Sequence, residues 1–168
     1  MKEETQWIYS LDCTPPIGTA IEFRQKKEDI LGYIGVVQED NTVRSIHATG
    51  NTSIREYYWT DSPRDVYKKA ITTIMAQRAL FKGKAIHCPT EEEAKQLLAL
   101  ANSLGFIWTS GRSFIGKDCW DVYKEDTCYF IDDGTYANVN FYKSQHPEST
   151  EYTIISFKEF KETYNIDN

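Results

Sequence analysis

The sequence lacks a long hydrophobic segment and a recognisable leader. No apolar run approaches the roughly 18 residues needed to cross a bilayer. The opening residues, MKEETQWIYSLD, do not follow the basic then apolar order of a signal peptide. These absences predict a soluble protein of the cytoplasm with no membrane partner. At 168 residues, the chain is also too short for a large multidomain enzyme and suits one medium domain or two small ones.

Cysteine and histidine are scarce and irregularly placed. The four cysteines form no CxxC pair, which favours reduced thiols over a disulfide framework or a zinc site. The three histidines stand in no recognisable triad, and neither predicted long helix follows a glycine-rich phosphate loop. The sequence therefore predicts no catalytic residues, no metal site and no cofactor, and the protein is expected not to be an enzyme.

Hydrophobic residues and charges are distributed in a way that predicts two modules. Hydrophobic residues make up 40% of the chain and aromatic residues 14%, enough to form a core. Residues 1–82 hold 11 basic and 11 acidic side chains, whereas residues 83–168 hold 8 and 14, so the second part carries the whole net charge of −6. With Gly83 as the seam, we predict an antiparallel β module with a closing helix at residues 1–82 and an acidic α+β module at residues 83–168.

The first module alternates polar and apolar residues with period two between turn residues, which predicts a small antiparallel barrel or a curled sheet. Gly32 and Gly35 interrupt its central strand, where a bend or a close backbone approach is expected. A helix should begin at Pro63 and end before Gly83. Its apolar stripe, predicted to be core, consists of Val66, Ala70, Ile71, Ile74, Met75 and Phe81.

The second module reads as a strand, a helix, several antiparallel strands and a short helix, which is an α+β arrangement with one helix packed on a sheet. Thr90 and Glu93 form a capping box that opens the helix, and Gly105 ends it. The terminal helix should contain Phe157, Phe160 and Tyr164. The predicted strands cover residues 84–88, 106–109, 120–123, 127–131, 136–142 and 152–156.

Two groups of residues are candidates for contact with a partner protein. The first group belongs to an acidic run that lacks the alternating spacing of a calcium loop and is expected to form a solvated face; the run consists of Asp118, Asp121, Glu125, Asp126, Asp132 and Asp133. Its first four residues are the predicted partner contacts. Tyr57 and Trp59 would act as interface anchors if they are exposed and as core if they are buried. Strong nonspecific nucleic-acid binding is not expected, because the first module is neutral and the whole chain is acidic.

One loop has the composition of an anion site. Residues 110–117, SGRSFIGK, supply two hydroxyls, two glycines and two cations, which could hold an anion in a nest of backbone amides. Arg112 and Lys117 are the predicted ligand-binding residues of this loop, with an ordinary surface loop as the alternative.

Residues 84–160 contain IHCPTEEEAKQLLALANSLGFIWTSG, CWDVYKEDTCYFI and YTIISFKEF. This pattern resembles a small α/β module found in short uncharacterised proteins of phages and mobile elements of Gram-positive bacteria. The resemblance implies a phage-type origin, and small acidic phage proteins are similar in outline to counter-defence proteins. The expected function is inhibition of a bacterial host defence effector by direct binding, as by an anti-CRISPR protein on a CRISPR effector nuclease, with acidic residues opposing a nucleic-acid groove. The alternatives are a sponge for a defence signalling nucleotide and a scaffold or regulatory protein of phage development.

Overall fold

A computed structural model describes residues 6–29, 32–46, 53–145 and 151–166. The chain divides into two compact units, residues 1–77 and residues 78–168, whereas the sequence placed the seam at Gly83. The fold is mixed α+β, which confirms the predicted class. Within the described residues, no helix is long and apolar enough to cross a membrane.

The first unit is a curled, half-barrel sheet of six antiparallel strands in the order β1-β6-β2-β3-β4-β5. Its buried cluster is formed by Ile21, Phe23, Val37, Val43, Tyr57 and Trp59. The strands are β1 (Ile8–Tyr9), β2 (Ala20–Arg24), β3 (Tyr33–Val37), β4 (Val43–Ser45), β5 (Ser53–Ile54) and β6 (Tyr58–Thr60). The period-two pattern thus predicted the curled sheet correctly.

Both glycines around β3 lie where other atoms approach the backbone closely. A methyl group placed on Gly35 would lie 2.8 Å from the carbonyl oxygen of Arg44, and one placed on Gly32 would lie 2.6 Å from Oε1 of Glu22. A side chain at Gly35 would therefore force a backbone carbonyl to move, whereas one at Gly32 would displace the side chain of Glu22. The expectation of a close backbone approach is therefore confirmed at Gly35, whereas the atoms that approach Gly32 belong to side chains.

Helix α1 (Asp65–Ala79) begins two residues after the predicted Pro63. Its apolar stripe is narrower than predicted: Ile74 is buried, whereas Val66 is 73% exposed and Met75 37% exposed. At 3.6 residues per turn, Val66 and Met75 lie roughly 80° and 100° to either side of Ile74. They therefore occupy the margins of the stripe, and the prediction that they belong to the core is wrong.

The second unit contains a sheet in the order β10-β7-β8-β9, in which β10 runs parallel to β7 and the other pairs are antiparallel. Its strands are β7 (Lys84–His87), β8 (Thr127–Phe130), β9 (Thr135–Asn138) and β10 (Thr153–Ser156). Its helices are α2 (Glu91–Ser103), α3 (Trp120–Tyr123), α4 (Val139–Gln145) and α5 (Phe157–Tyr164), with a 3-10 turn at Lys124–Asp126.

The prediction for α2 is confirmed in detail. The hydroxyl of Thr90 accepts a hydrogen bond from the backbone N–H of Glu93 at 3.3 Å, which is the capping interaction expected at a helix start. The buried stripe of the helix matches the prediction: it consists of Ala94, Leu97, Leu98 and Ala101, and Leu104 continues it beyond the helix end. Gly105 follows in the left-handed conformation with φ +80°.

Three of the predicted strands are wrong in whole or part. Residues 120–123 form α3. In the predicted strand 136–142, β9 ends at Asn138 and the following residues belong to α4. Oδ1 of Asn138 accepts hydrogen bonds from the backbone N–H groups of Asn140 and Phe141, each at 2.9 Å, and so caps the start of α4. Residues 106–109 contribute only an isolated bridge between Ile107 and Ser113. Short apolar runs suit helix and strand equally, and at the start of α4 the cap formed by Asn138 favours the helix.

Candidate functional site

The four predicted acidic residues lie on one short segment that connects a loop to β8. We call residues 118–126 the acidic turn; it consists of Asp118, Cys119, α3 and the 3-10 turn. Asp121 and Glu125 are exposed, whereas Asp118 and Asp126 are half-buried. The segment therefore exposes the carboxylates of Asp121 and Glu125 to solvent, whereas those of Asp118 and Asp126 are partly covered by the rest of the unit.

Two side chains of the central strands hold the ends of the acidic turn. The hydroxyl of Tyr129 donates to the carbonyl oxygen of Asp118 at 2.6 Å. Burial raises the pKa of Tyr129 well above its ordinary value, so the hydroxyl stays protonated and can donate. Nε2 of His87 lies 2.6 Å from the carbonyl oxygen of Glu125; since that oxygen can only accept, Nε2 carries the proton. Both ends of the turn are thereby fixed to the sheet.

Trp120 holds the middle of the acidic turn. Its indole Nε1 donates to the carbonyl oxygen of Cys88 at 3.1 Å, and its own carbonyl oxygen accepts from the hydroxyl of Thr127 at 3.3 Å. The carboxylate of Asp118 caps the backbone N–H of Trp120 at 3.1 Å. These bonds reach Trp120 through its backbone and its indole N–H, so they constrain the main chain of the turn.

The backbone of the acidic turn reverses sharply at two non-glycine residues. Cys119 lies in the left-handed region with φ +58°, and Lys124 has φ +48° with ψ −124°; side chains with a Cβ rarely occupy either conformation. Such a conformation persists only where the surroundings hold it. The hydrogen bonds to the sheet supply that constraint.

The outer surface of the turn combines apolar and acidic side chains. Val122 is 55% exposed and Tyr123 38% exposed, between the exposed carboxylates of Asp121 and Glu125. The ring of Tyr123 rests near that of Tyr136, with centroids 6.0 Å apart. A rigid backbone thus presents two apolar groups between two carboxylates, with the exposed ammonium group of Lys124 next to Glu125. The exposed charge of the turn is net negative, which is suited to binding a basic surface.

Asp126 has an internal partner, because its Oδ1 accepts from Nδ2 of Asn140 at 2.8 Å. Among the described residues, no group of three or more histidine, cysteine or carboxylate side chains is placed to hold a metal ion. The chemistry that the turn itself offers is therefore electrostatic attraction and apolar contact.

The two predicted aromatic anchors belong to the core of the first unit. Tyr57 is completely buried, and Trp59 is buried with its indole N–H donating to the carbonyl oxygen of Cys13 at 2.8 Å. A partner could reach these rings only if the sheet opened. Tyr57 and Trp59 are therefore corrected from partner anchors to core residues.

Arg112 and Lys117 both lie exposed on their loop, and among the described residues neither forms an ion pair. The loop is anchored by Phe114, whose buried ring packs edge-on against Trp108 at 4.6 Å. The backbone N–H of Gly111 donates to the carbonyl oxygen of Trp108 at 2.8 Å. This amide is used inside the loop, so the geometry adds no support to the predicted anion nest.

Val122, Tyr123 and the anchoring role of Trp120 were not predicted from the sequence, because residues 120–123 were read as a strand. A usable signal was present: Asp118 stands two residues before Trp120, the spacing at which an aspartate caps a backbone N–H and opens a turn.

No protein-family model, curated protein or solved structure matches this chain. The resemblance to phage modules therefore stays a prediction.

Proposed function

We propose that this protein is a non-catalytic, phage-type binding protein that inhibits a bacterial host defence effector by docking the acidic turn onto a basic surface of that effector, in the manner of an anti-CRISPR protein. The observation that supports the proposal is the exposure of Val122 and Tyr123 between Asp121 and Glu125 on a backbone held by hydrogen bonds to the sheet.

Rigidity favours binding because association otherwise loses free energy to the ordering of loops and side chains. Interfaces draw most of their affinity from a few central aromatic or apolar anchors, with polar groups at the rim that exclude water. Tyr123 and Val122 suit the central role, and Asp121 and Glu125 suit the rim.

The carboxylates act mainly on encounter and specificity. Complementary charge raises association rates and disfavours wrong partners more than it raises affinity. A nucleic-acid-binding groove on a CRISPR effector nuclease has the required basic surface, and the net charge of −6 steers the protein toward it.

The test is capture from bacterial lysate with tagged protein, with and without nuclease treatment, followed by an activity assay of the captured effector with purified protein. We expect a nuclease-resistant protein partner whose activity is inhibited. Tyr123→Ala should weaken that complex by about tenfold or more. Asp121→Asn with Glu125→Gln should slow association and reduce its dependence on salt.

The matched control neutralises Glu159 and Glu162, two exposed carboxylates of α5 in the same unit. This pair changes the net charge equally but leaves the acidic turn intact, so binding should be retained. The proposal is refuted if the effector binds the Tyr123→Ala and carboxylate variants as tightly as it binds the native protein.

The sponge alternative at Arg112 and Lys117 and the phage scaffold alternative stay predictions. A thermal-shift panel of signalling nucleotides addresses the sponge, since a ligand at one hundred times its Kd stabilises a folded protein by about 2.7 kcal/mol. Capture of phage structural proteins instead of a host effector would favour the scaffold.

A further inference from the structure

The outer face of the first unit carries a row of flat side chains across three neighbouring strands. Tyr58 of β6 is paired in register with Tyr9 of β1 and with Arg24 of β2. The adjacent register positions, Trp59 and Phe23, belong to the buried cluster. Because successive strand residues point to opposite faces, Tyr9, Tyr58 and Arg24 share the face away from the core.

The flat groups of this row are already arranged for stacking. The rings of Tyr9 and Tyr58 are stacked with centroids 5.0 Å apart and planes at 27°. The guanidinium carbon of Arg24 lies 3.9 Å from the centroid of the Trp7 ring, and its Nη1 donates to the carbonyl oxygen of Asp29 at 2.9 Å. These contacts fix the row and leave Tyr9 and Tyr58 half-exposed.

An open cleft of about 220 Å³ lies beside the two stacked tyrosines. Besides Tyr9 and Tyr58, it is lined by Gln25, Lys26, Lys27, Glu28 and Glu56. Lys26 and Lys27 are exposed, and neither forms an ion pair with any other described residue. The cleft thus joins an aromatic surface to two adjacent ammonium groups.

Glu56 supplies an acceptor at the aromatic end of the cleft. Its Oε2 accepts from the hydroxyl of Tyr9 at 3.2 Å. Desolvation, with the charge of Glu56 adding to it, raises the pKa of Tyr9. Tyr9 therefore stays neutral at physiological pH and adds no negative charge that would repel an anion.

We propose that this cleft binds a free nucleotide, with the base stacked on the tyrosines, the phosphate at Lys26 and Lys27, and the Glu56 carboxylate accepting from an amino or hydroxyl group of the nucleoside. Aromatic rings stack on any base because every base has a π face. Ammonium groups bind phosphate as point charges.

The balance of charge around the cleft selects a free nucleotide over a nucleic-acid strand. A strand would need a basic groove that follows its backbone, whereas residues 1–82 carry equal numbers of basic and acidic side chains and two glutamates line this cleft. The site is separate from the acidic turn, so either proposal can fail without the other.

The experiment is an NMR or calorimetric titration of the full chain with AMP, GMP, CMP and UMP, and separately with adenosine and inorganic phosphate. The variants are Tyr58→Leu, which removes the stacking ring, and the double change Lys26→Gln with Lys27→Gln in the loop. The matched controls are Tyr33→Leu, an exposed tyrosine of the same sheet, and Lys68→Gln with Lys69→Gln, an adjacent lysine pair on α1.

We expect saturable binding of at least one mononucleotide. Tyr58→Leu should weaken it on the order of tenfold, and the Lys26 and Lys27 variant should weaken AMP binding while leaving adenosine binding unchanged. The controls should bind as the native protein does.

The proposal is overturned if no mononucleotide binds at millimolar concentration, or if the Lys26 and Lys27 variant retains native affinity for the mononucleotide that the native protein binds. Binding of a short single-stranded oligonucleotide without any mononucleotide binding would also overturn it, because the ligand would then be a strand. The exposed loop lysines keep the test decisive even if Tyr58→Leu reduces folding.

Discussion

A buried ion pair joins β2 to the start of α1, and its two partners differ in access to water. Glu22 has a completely buried side chain, whereas the side chain of Arg64 is 36% exposed. Oε1 of Glu22 lies 2.6 Å from Nε of Arg64, and Oε2 accepts from the backbone N–H of Arg64 at 2.8 Å. The carboxylate therefore depends on Arg64 for its charge partner, while the guanidinium can also reach solvent.

This asymmetry predicts that Arg64→Ala is more damaging than Glu22→Gln. Loss of the guanidinium leaves a buried carboxylate with one backbone donor, which should cost about 3–5 kcal/mol in free energy of unfolding. Glu22→Gln keeps the shape and leaves a cation that water can solvate. Its cost should be closer to the about 1.5–3 kcal/mol of a charge-assisted hydrogen bond.

Adding Glu22→Gln to Arg64→Ala removes the orphaned buried charge, so the double variant should be more stable than Arg64→Ala alone. This rescue by a second substitution is opposite in sign to the effect of Glu22→Gln in the native background.

Hydrogen–deuterium exchange in mild urea, resolved by peptide, measures the effect within the first unit. Peptides over β2 and β3 should lose protection most in Arg64→Ala and regain part of it in the double variant. Peptides over β7 and β8, in the second unit, serve as the internal control. If the double variant is less stable than Arg64→Ala by the full cost of Glu22→Gln, the two residues are not coupled and the reasoning is wrong.

Three further outcomes are expected. Gly35→Ala should lower the free energy of unfolding by about 1–3 kcal/mol in a urea titration, since the added methyl group would lie 2.7 Å from Cγ2 of Val43, 2.8 Å from the backbone oxygen of Arg44 and 2.8 Å from Cε1 of Phe23, all in buried residues; an unchanged midpoint would contradict this. In native protein at pH 8, a thiol reagent should label the exposed Cys13. Cys88 and Cys128 are buried, and burial raises the pKa of Cys128 to about 11, so both should react only after unfolding. Labelling of all the thiols before unfolding would contradict this prediction. Hydrogen bonds from Thr42 lower the pKa of Asp40, so the ionised carboxylate stabilises the folded protein. This contribution is fully present above the ordinary aspartate pKa of about 3.9 and is lost as the pH falls through the lowered value. Asp40→Asn should therefore flatten the acid side of a plot of unfolding free energy against pH, and an unchanged acid side would count against this.

Local signals in the sequence predicted the elements whose stability is itself local. The Thr90 and Glu93 capping box, the regular apolar spacing of α2 and the glycine stop are all contained within one helix, and each is where it was predicted. The alternation that predicted the curled sheet and Gly35, which allows close approach of the backbone, are likewise short-range features. The same reasoning assigned the wrong element at residues 120–123, which form α3, and at residues 139–142, which belong to α4, and it predicted a strand at 106–109 where there is an isolated bridge.

The candidate sites depend on residues that are distant in the sequence. Composition identified the carboxylates of the acidic turn, but long-range hydrogen bonds hold the turn in place. Tyr129 and His87 bond to carbonyl oxygens of the turn, and the indole of Trp120 bonds to the carbonyl oxygen of Cys88. The stacked pair of Tyr9 and Tyr58 likewise depends on the pairing of β1 with β6.

Alternation and capping determine which segments form strands and helices, because those energies depend on neighbours a few residues away. Which strands become neighbours depends on the shared burial of apolar faces contributed by remote segments. The parallel pairing of β10 with β7, the burial of Tyr57 and Trp59, and the ion pair of Glu22 with Arg64 all follow from that second choice. The sequence alone thus determined the α+β class and most of the elements, whereas the tertiary structure decided which side chains of those elements are buried and which are exposed.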